Sequence, residues 1–525
     1  MTQKAPQKPI KTRRLSPWRV MLAVTIVAST IALGYFGWRE TRLDPMVRSN
    51  KPWFAPYVDV TATPQFAFEQ LGTANRKDAV LSFVVASQKD PCTPSWGAAY
   101  SLDEASDALD LDRRIARLKQ QGGSVAISFG GLTNDELASV CENDTKLANA
   151  YKSVVDRYDV STVDLDLEND NLQDPYINTR RANAIAKLQT ERRAAHRPFA
   201  VWLTLPVTSD GLDKHGTDAV AQLLKASVDI AGVNVMTMDY SGTELAGKNI
   251  TDVSISSLKR TQHQLGILYD QAGTYLNDVS LWRKIGVTPM IGQSDIKNEV
   301  FRISDAKRLN AFARDNGVGR VSMWSANRDI ECGTNYVDPS IVSNSCSGVR
   351  QNKFAFMDVL SDGFEGNIAG TADNVTVAQA KPSEKSLNDD PATSPYQIWS
   401  DSGVYLAGTK VVWHHNVYQA KWWTKGDTPD NPVLQSWQTP WDLIGPVLPG
   451  EKPVKQAALP AGTYPEWSGD ATYEAEQRVL FKGIAYQAKW WNRGESPAAA
   501  SSSADASPWT PLSQAEINKI LKDLK

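Results

Sequence analysis

Short apolar runs alternate along residues 50 to 362 with longer stretches that are apolar on one side only. Short runs bounded by turn residues are typical of buried strands, and a 3.6-residue apolar period is typical of helices. Eight runs are predicted to be strands: Tyr57–Thr61, Val80–Ala86, Ser124–Phe129, Thr162–Glu168, Ala200–Leu205, Ile230–Met236, Lys284–Met290 and Arg320–Trp324. Helices are predicted between them, for example Asp110–Gln120, Lys146–Tyr158, Ile177–Arg193 and Ser304–Asp315. This alternation predicts a parallel α/β sheet.

One predicted strand, Thr162–Glu168, alternates apolar and acidic residues. Because side chains along a strand point to opposite faces in turn, Asp164, Asp166 and Glu168 would share one face. Carboxyl groups on an otherwise apolar strand are costly to bury unless they share protons or hydrogen bonds. Neighbouring carboxyls with coupled titrations keep one of them protonated near neutral pH, as a general acid requires. The alternatives are a solvated acidic patch and a divalent-metal site.

This acidic strand resembles the catalytic strand of glycoside hydrolase family 18, the chitinases, whose pattern is Asp-x-x-Asp-x-Asp-x-Glu. The last three acids match Asp164, Asp166 and Glu168, and Ser161 replaces the first. Periodicity alone allows either a doubly wound sheet or a (β/α)8 TIM barrel. The strand count and the resemblance together favour the barrel, whose active site lies at the carboxyl ends of the strands.

Two more strand ends extend the resemblance, in the segments Ser128-Phe129-Gly130-Gly131 and Met236-Thr237-Met238-Asp239-Tyr240. The first segment matches the family's Ser-x-Gly-Gly at the third strand, which places Ser128, Gly130 and Gly131 at the substrate. The second matches Met-x-Tyr-Asp at the sixth strand and retains Asp239. Met238 stands where relatives have the tyrosine that holds the substrate's acetamido oxygen, and Tyr240 is the candidate replacement.

Two aromatic residues at other strand ends are predicted to lie near the substrate. Trp324, at the end of the eighth strand, matches the family tryptophan that forms the floor of the sugar subsite, and a core tryptophan is the alternative. Tyr57, at the first strand, is expected either to line the cleft or to pack. The segment Ile291–Gly319 leaves room only for a loop and one helix, whereas deep-cleft relatives insert an α+β subdomain here. We therefore expect an open groove that suits cutting within a chain.

The resemblance implies that the body is a retaining endochitinase that hydrolyses β-1,4-linked N-acetylglucosamine by a substrate-assisted route. Glu168 would protonate the leaving oxygen and later activate water, while the substrate's acetamido oxygen acts as the nucleophile. Asp166 would orient the acetamido group, with Asp164 behind it and Asp239 beside it. The alternatives are a silent chitin-binding lectin on the same barrel and an endo-β-N-acetylglucosaminidase. The five histidines show no metal-ligand spacing and there is no P-loop, so we expect no metal and no cofactor.

The N-terminal residues differ in kind from the body. Residues 1–19 are basic, and residues 20–38 form an apolar run long enough to span a bilayer as a helix. The flanking positive charge predicts a signal anchor, and a cleaved signal peptide is the alternative. Either predicts an extracellular body, secreted or anchored to the plasma membrane. A net charge of -3 argues against a nucleic-acid partner, and we expect a monomer.

The four cysteines fit an exported protein, in which two disulfides are plausible. Cys92 and Cys141 each follow a predicted strand, whereas Cys332 and Cys346 bracket one loop. We therefore pair Cys92 with Cys141 and Cys332 with Cys346. Four buried free thiols are the alternative.

Ten of the seventeen tryptophans follow residue 395, where an internal repeat of 68 residues begins. Its hexapeptide Tyr-Gln-Ala-Lys-Trp-Trp occurs at residues 418–423 and 486–491. The repeats resemble the carbohydrate-binding modules of families 5 and 12, which are small all-β modules. An aromatic platform for chitin is therefore assigned to Trp399, Tyr405, Trp422 and Trp423, repeated as Trp467, Tyr473, Trp490 and Trp491. We expect one tryptophan of each adjacent pair to point inward, and the more divergent second module to bind more weakly.

The composition also predicts the boundaries of the parts. The body is predicted at residues 50–362, a linker at 366–395, the first module at 396–445, a spacer at 446–460 and the second module at 461–513. Residues 514–525 are predicted to form a short amphipathic helix as a C-terminal tail.

Overall fold

The computed structural model describes residues 51–71, 77–296, 299–334, 342–372, 380–381, 383, 387–448, 450–453, 459–497 and 507–524. The basic tail at 1–19 and the predicted membrane or signal helix at 20–38 lie outside these residues. Across the ranges that are described, no helix is long and apolar enough to cross a membrane.

The body is built on a mostly parallel sheet, as the alternation of patterns predicted. Its parallel segments are Trp53–Phe54 with Tyr57–Asp59, Ala79–Ala86, Val125–Gly130, Thr162–Asp166, Ala200–Pro206, Ile230–Met236, Ile285–Thr288 and Arg320–Val321. The strand order follows the chain order from the second segment to the last. The first segment pairs with both ends of this series, because Trp53 lies beside Arg320 and Tyr57 lies beside Val80. The first segment thus has parallel neighbours at both ends of the series.

Helices connect the parallel segments. Their bounds are Leu102–Ala108, Leu111–Gln120, Leu137–Val140, Asp144–Arg157, Asp170–Gln173, Pro175–Ala194, Lys214–Lys225, Gly242–Leu245, Ile250–Gln271, Asp278–Arg283, Ile303–Asn316 and Ala355–Leu360. Side-chain caps explain where several begin: Asn143 accepts the backbone N–H of Lys146, and Asp174 accepts that of Tyr176 beside a proline at the first helical position. The four predicted helices are all present, with ends shifted by one or two residues.

Shorter strands decorate the sheet. Pro94–Trp96 and Tyr100–Ser101 extend it antiparallel beyond the second segment, and Gly292–Gln293 pairs with Val300–Phe301 as a separate two-stranded ribbon. The disulfides Cys92–Cys141 and Cys332–Cys346 are both formed, which confirms the predicted pairing.

The C-terminal repeats form two copies of one small β fold, as predicted. In the first, Val404–Tyr405 pairs with Thr424–Lys425, and Lys410–Trp413, Asn416–Ala420 and Trp441–Pro446 form a three-stranded sheet. In the second, the corresponding strands are Thr472–Tyr473, Asn492–Arg493, Arg478–Phe481, Ile484–Ala488 and Trp509–Pro511. The chain divides into two compact units, and both modules lie in the unit formed by residues 206–225, 256–275 and 378–525.

The two modules share an apolar cluster. Its buried residues are Leu406 from the first module and Leu480, Ala485, Leu512 and Ile517 from the second module and the tail. Ile517 belongs to the C-terminal helix Gln514–Asp523, which is capped by Ser513. The tail is therefore helical, as predicted, and its apolar side covers the junction of the modules.

Candidate active site

The fourth parallel segment places Asp164 at the centre of a buried polar network. Its Oδ2 accepts hydrogen bonds from the hydroxyls of Tyr57 and Ser128, both at 2.8 Å. Its Oδ1 accepts one from Thr204 at 2.8 Å and contacts the Arg320 guanidinium at 2.5 Å. Donors therefore surround both oxygens of this fully buried carboxylate.

Arg320, the cation of this network, is also fully buried. Its guanidinium carbon lies 5.1–5.4 Å from the ring centroids of Trp53, Tyr57 and Trp202. The faces of aromatic rings attract a desolvated cation, and the ion pair with Asp164 offsets the cost of burying both charges. The sequence analysis did not identify Arg320, because it begins an apolar strand and no motif marks it.

Asp166, two residues on, is buried but has different surroundings. Its Oδ1 has no hydrogen-bond partner among the described residues. Burial raises the pKa of Asp166 well above its usual value, and the negative charges of Glu168 and Asp164 raise it further, against the opposing effect of Arg320. Asp166 therefore holds a proton more readily than an ordinary aspartate does.

Glu168 lies beyond the strand, which ends at Asp166 and not at Glu168 as predicted. The backbone still follows the sheet at Leu167, whose N–H donates to the Thr204 carbonyl at 3.0 Å, but Glu168 itself is only half-buried. Burial raises the pKa of Glu168 to about 7, and the charge of Asp239 contributes. A carboxyl group with such a pKa can donate a proton near neutral pH.

Asp239, an exposed residue with a left-handed backbone (φ 59°), follows the sixth parallel segment. Its Oδ1 accepts a hydrogen bond from Ser294 at 2.6 Å. The N–H groups of Asp239 and Tyr240 donate to the two carboxylate oxygens of Glu299, each at 2.8 Å. Desolvation by the neighbouring groups raises the pKa of Asp239, and the Ser294 hydrogen bond opposes this. The sequence analysis missed Ser294 and Glu299, which lie in a segment it treated as a plain loop.

The glycine pair allows a close approach between backbones. The Gly131 N–H donates to the Asp166 carbonyl at 2.9 Å. A Cβ at Gly130 would lie 2.1 Å from that carbonyl oxygen, and one at Gly131 would lie 2.8 Å from the Phe83 ring. Both glycines also have positive φ, so the structure requires glycine at both positions.

Trp324 is half-buried and forms an aromatic surface with a residue that the sequence analysis missed. Its ring stacks on that of Phe83, with centroids 5.5 Å apart and an interplanar angle of 21°. Tyr57 supports both rings from below, at centroid distances of 6.1 and 6.4 Å. Phe83 lies inside a predicted strand, where an aromatic residue normally indicates only packing.

Several predicted binding residues are instead buried and support the site from behind. Tyr57 and Ser128 hydrogen-bond to Asp164, so neither lines the cleft. Tyr240 is only 1% exposed, and its hydroxyl does not replace the missing tyrosine at the surface; Met238 is buried too. Near-complete burial excludes direct contact between these side chains and a sugar.

The predicted platform of the modules also needs correction. Tyr405 and Tyr473 belong to the two module cores, and Trp399 and Trp467 pack against those cores half-buried. The adjacent tryptophans lie outside the strands, so strand alternation does not govern them. Three of these tryptophans are exposed: Trp422 at 46%, Trp490 at 44% and Trp491 at 57%. Trp437, which was not predicted, is 71% exposed. Trp423 is half-buried against the cluster shared by the modules.

Comparisons with known proteins found a family model that matches part of the second repeat, and relatives that match the body. Residues 466–510, in the second repeat, match the model of carbohydrate-binding module family 5/12. The chain is 30% identical over 349 residues to a probable bifunctional chitinase/lysozyme of Escherichia coli, covering 66% of this chain and 37% of that protein. It is 31% identical over 319 residues to Endochitinase 11 of Metarhizium anisopliae, covering 60% and 58%. The chain thus spans less than two thirds of either relative.

A solved structure matches the body. The catalytic domain of a hyperthermophilic chitinase from Pyrococcus furiosus superposes with a TM-score of 0.51 and 27% identity, covering 60% of this chain and 95% of that domain. These similarities confirm the predicted resemblance to chitinases, and with it the class of the body, a glycoside hydrolase domain.

Proposed function

We propose that the chain is an exported, retaining endochitinase that cuts β-1,4-linked N-acetylglucosamine polymers by substrate-assisted catalysis. The observation that carries this proposal is the contrast between two neighbouring carboxyls. Asp166 is buried with an oxygen that has no partner among the described residues, and Glu168 is half-buried with a pKa of about 7. Asp166 is suited to accept a hydrogen bond from the substrate, and Glu168 is suited to transfer a proton.

In the first step, Glu168 gives its proton to the glycosidic oxygen while the bond from that oxygen to C1 breaks. The carbonyl oxygen of the substrate's acetamido group attacks C1 and forms an oxazolinium ion. Asp166 Oδ1 accepts the acetamido N–H, and the positive charge of the oxazolinium favours the carboxylate form of Asp166. Glu168, now a carboxylate, takes a proton from the water that opens the ring, which restores the acid.

Asp164 and Arg320 have an indirect role in this scheme. They form the buried ion pair behind Asp166, where the charge of Asp164 raises the pKa of Asp166 and that of Arg320 lowers it. The family pattern begins with an acid where this chain has Ser161. We therefore assign Arg320 as the charged partner of Asp164.

The body is proposed to be a (β/α)8 barrel, supported by the parallel pairing that joins the first segment to both the second and the last. Between residues 291 and 319, the described residues comprise a two-stranded ribbon and one helix. This supports an open groove, with Phe83 and Trp324 beneath a sugar, and cutting within the polymer.

The modules are proposed to hold the enzyme on chitin through their exposed tryptophans, Trp422, Trp437, Trp490 and Trp491. The two disulfides and the apolar run at 20–38, which would serve as a signal peptide or as a membrane anchor, support the proposed export. The protein would act outside the cell as a monomer, with domain boundaries as the sequence predicts.

The test is to measure the anomeric form of the products released from chito-oligosaccharides by the full chain, with Glu168→Gln as the control for contaminating activity. Early products in the β-anomer, absent with the variant, would support a retaining chitinase. Initial α-anomer products would contradict the substrate-assisted route. Chitin binding without any hydrolysis would favour the silent lectin, and cleavage restricted to the core of N-linked glycans would favour the endo-β-N-acetylglucosaminidase.

A further inference from the structure

A ribbon after the seventh parallel segment contacts both the backbone and the side chain of Asp239. The ribbon consists of Gly292–Gln293 and Val300–Phe301, with Ser294 and Glu299 next to its strands. Ser294 donates its hydroxyl hydrogen to Asp239 Oδ1 at 2.6 Å, and its own N–H donates to the Glu299 carbonyl at 3.0 Å. The two residues that contact the Asp239 segment are thus linked to each other.

Glu299 binds the backbone of this segment in a two-pronged way. Its Oε1 accepts the N–H of Asp239 and its Oε2 accepts that of Tyr240, both at 2.8 Å, and the residue is 2% exposed. Two successive N–H groups that converge beside a left-handed residue form a concave anion-binding site. Here the anion is a side chain of the same protein.

The backbone of Asp239 needs this support. Its φ of 59° lies in the left-handed region, which a residue with a Cβ adopts only at an energetic cost. The Oδ1 atom of Asp239 accepts its hydrogen bond from Ser294, which lies outside that turn. The two oxygens of Glu299 accept both backbone N–H groups of the turn at residues 239 and 240.

We propose that Glu299 is a positioning residue, which, together with Ser294, holds the Asp239 carboxylate where its charge acts on Glu168. This inference rests on the proposed function, because it concerns the proton that Glu168 transfers. Glu299 itself contacts no substrate, since it is buried behind the Asp239 turn. Its effect on the reaction would pass entirely through Asp239.

The charged groups around Asp239 and Glu168 determine how a loss of positioning would change the pKa of Glu168. Asp239 is faced by Glu168, Glu299, Asp295 and Arg328, and Glu168 is faced by Asp166 and Asp239. The charge of Asp239 raises the pKa of Glu168. When Asp239 turns away or becomes protonated, the pKa of Glu168 falls, so Glu168 loses its proton at a lower pH. The basic limb of the activity profile then moves to lower pH.

The experiment compares pH–rate profiles of the full chain and of Glu299→Gln on soluble chito-oligosaccharides. The amide keeps the size of the side chain but can accept only one of the two N–H groups. We expect kcat to fall by about tenfold to a hundredfold, as small misplacements of catalytic groups do, with KM changed less. We expect the basic limb to move to lower pH, as it should also do in Asp239→Asn, which removes the charge of Asp239.

Asp329 offers a matched control. It is also a buried carboxylate whose oxygens accept two consecutive backbone N–H groups, those of Phe356 and Met357 at 3.2 and 2.9 Å. Asp329→Asn should lower the melting temperature similarly but leave the basic limb in place. If Glu299→Gln behaves like Asp329→Asn, Glu299 is only structural and the proposal is overturned.

Two further measurements keep the proposal testable. If Glu299→Gln does not fold, Ser294→Ala removes the side-chain contact alone, and the same shift of the basic limb is expected, only smaller. Carboxyl-carbon NMR titration measures the pKa of Glu168 in parent and variants without substrate turnover. An inactive parent whose Glu168 pKa still falls in the variants would contradict the proposed function and support the positioning role. An unchanged pKa of Glu168 would overturn that role.

Discussion

The body and the C-terminal modules place their functional side chains in opposite environments. In the body, Asp164 and Asp166 are buried and Glu168 is half-buried. In the modules, Trp422, Trp490 and Trp491 are exposed. Proton transfer at neutral pH requires a low-dielectric environment that shifts a pKa, whereas stacking on a polymer requires rings that solvent can reach. Under the proposed function, the two tasks need different environments, and the chain would carry them in separate parts.

A second comparison lies within the modules. The hexapeptide is identical in both, yet Trp491 is 57% exposed while Trp423 is half-buried against the cluster formed with the second module. The second module therefore presents the complete tryptophan pair, whereas the first presents Trp422 and its own Trp437. The weaker binding expected of the more divergent second module stays a prediction, and these exposures favour the opposite order.

The largest expected effect is in the body. Glu168→Gln should remove essentially all hydrolysis, about 10²–10⁴-fold, because only the transferable proton is lost. The fold and the chitin binding should remain, as circular dichroism and sedimentation with chitin would show. Residual activity within tenfold of the parent would contradict the assignment of the acid.

Asp166→Asn should have a smaller effect, but still well over tenfold. The amide cannot supply the negative charge that faces the oxazolinium, although it retains the size of the side chain. Single-turnover rates on chito-oligosaccharides would measure the loss. A neutral outcome would mean that the substrate-assisted route is wrong.

The dependence of activity on pH should show how burial raises the pKa of Glu168. Glu168 must be protonated to act, so activity should be complete below its pKa of about 7 and fall about tenfold per pH unit above it. An ordinary exposed glutamate would already have lost its proton near pH 4 to 5. The profile of kcat/KM against pH reports the free enzyme and decides the matter, and a basic limb below pH 5.5 would contradict the raised pKa.

The smallest effects should come from single tryptophans of the modules. Trp491→Ala should weaken binding to chitin by roughly threefold to tenfold, for ~1 kcal/mol of stacking per ring, with hydrolysis of soluble oligosaccharides unchanged. Trp423→Ala, the matched position in the first module, should instead lower the melting temperature because it removes packing between the modules. Equal loss of chitin binding in both variants would show that the burial of Trp423 has no functional consequence.

Local sequence alone was enough to predict the elements that depend on short-range patterns. The parallel segments and helices follow from apolar periodicity, and the cysteine pairs follow from their positions relative to those elements. The row of acids at Asp164, Asp166 and Glu168 was visible because alternation along a strand is a local property. The repeat was visible because its words recur at constant spacing.

The tertiary structure decided which of these residues work together. Arg320 is 156 positions from Asp164, and Glu299 is 60 from Asp239, so neither contact leaves a mark in a local pattern. The sequence left open whether Tyr57 lines the cleft or packs, and it offered Tyr240 as the replacement for a missing tyrosine; the burial of both depends on the whole surrounding fold. Burial also sets the pKa values of Asp166 and Glu168. Desolvation and charge pairing are sums over neighbours brought together by folding, and a sequence pattern records only neighbours along the chain.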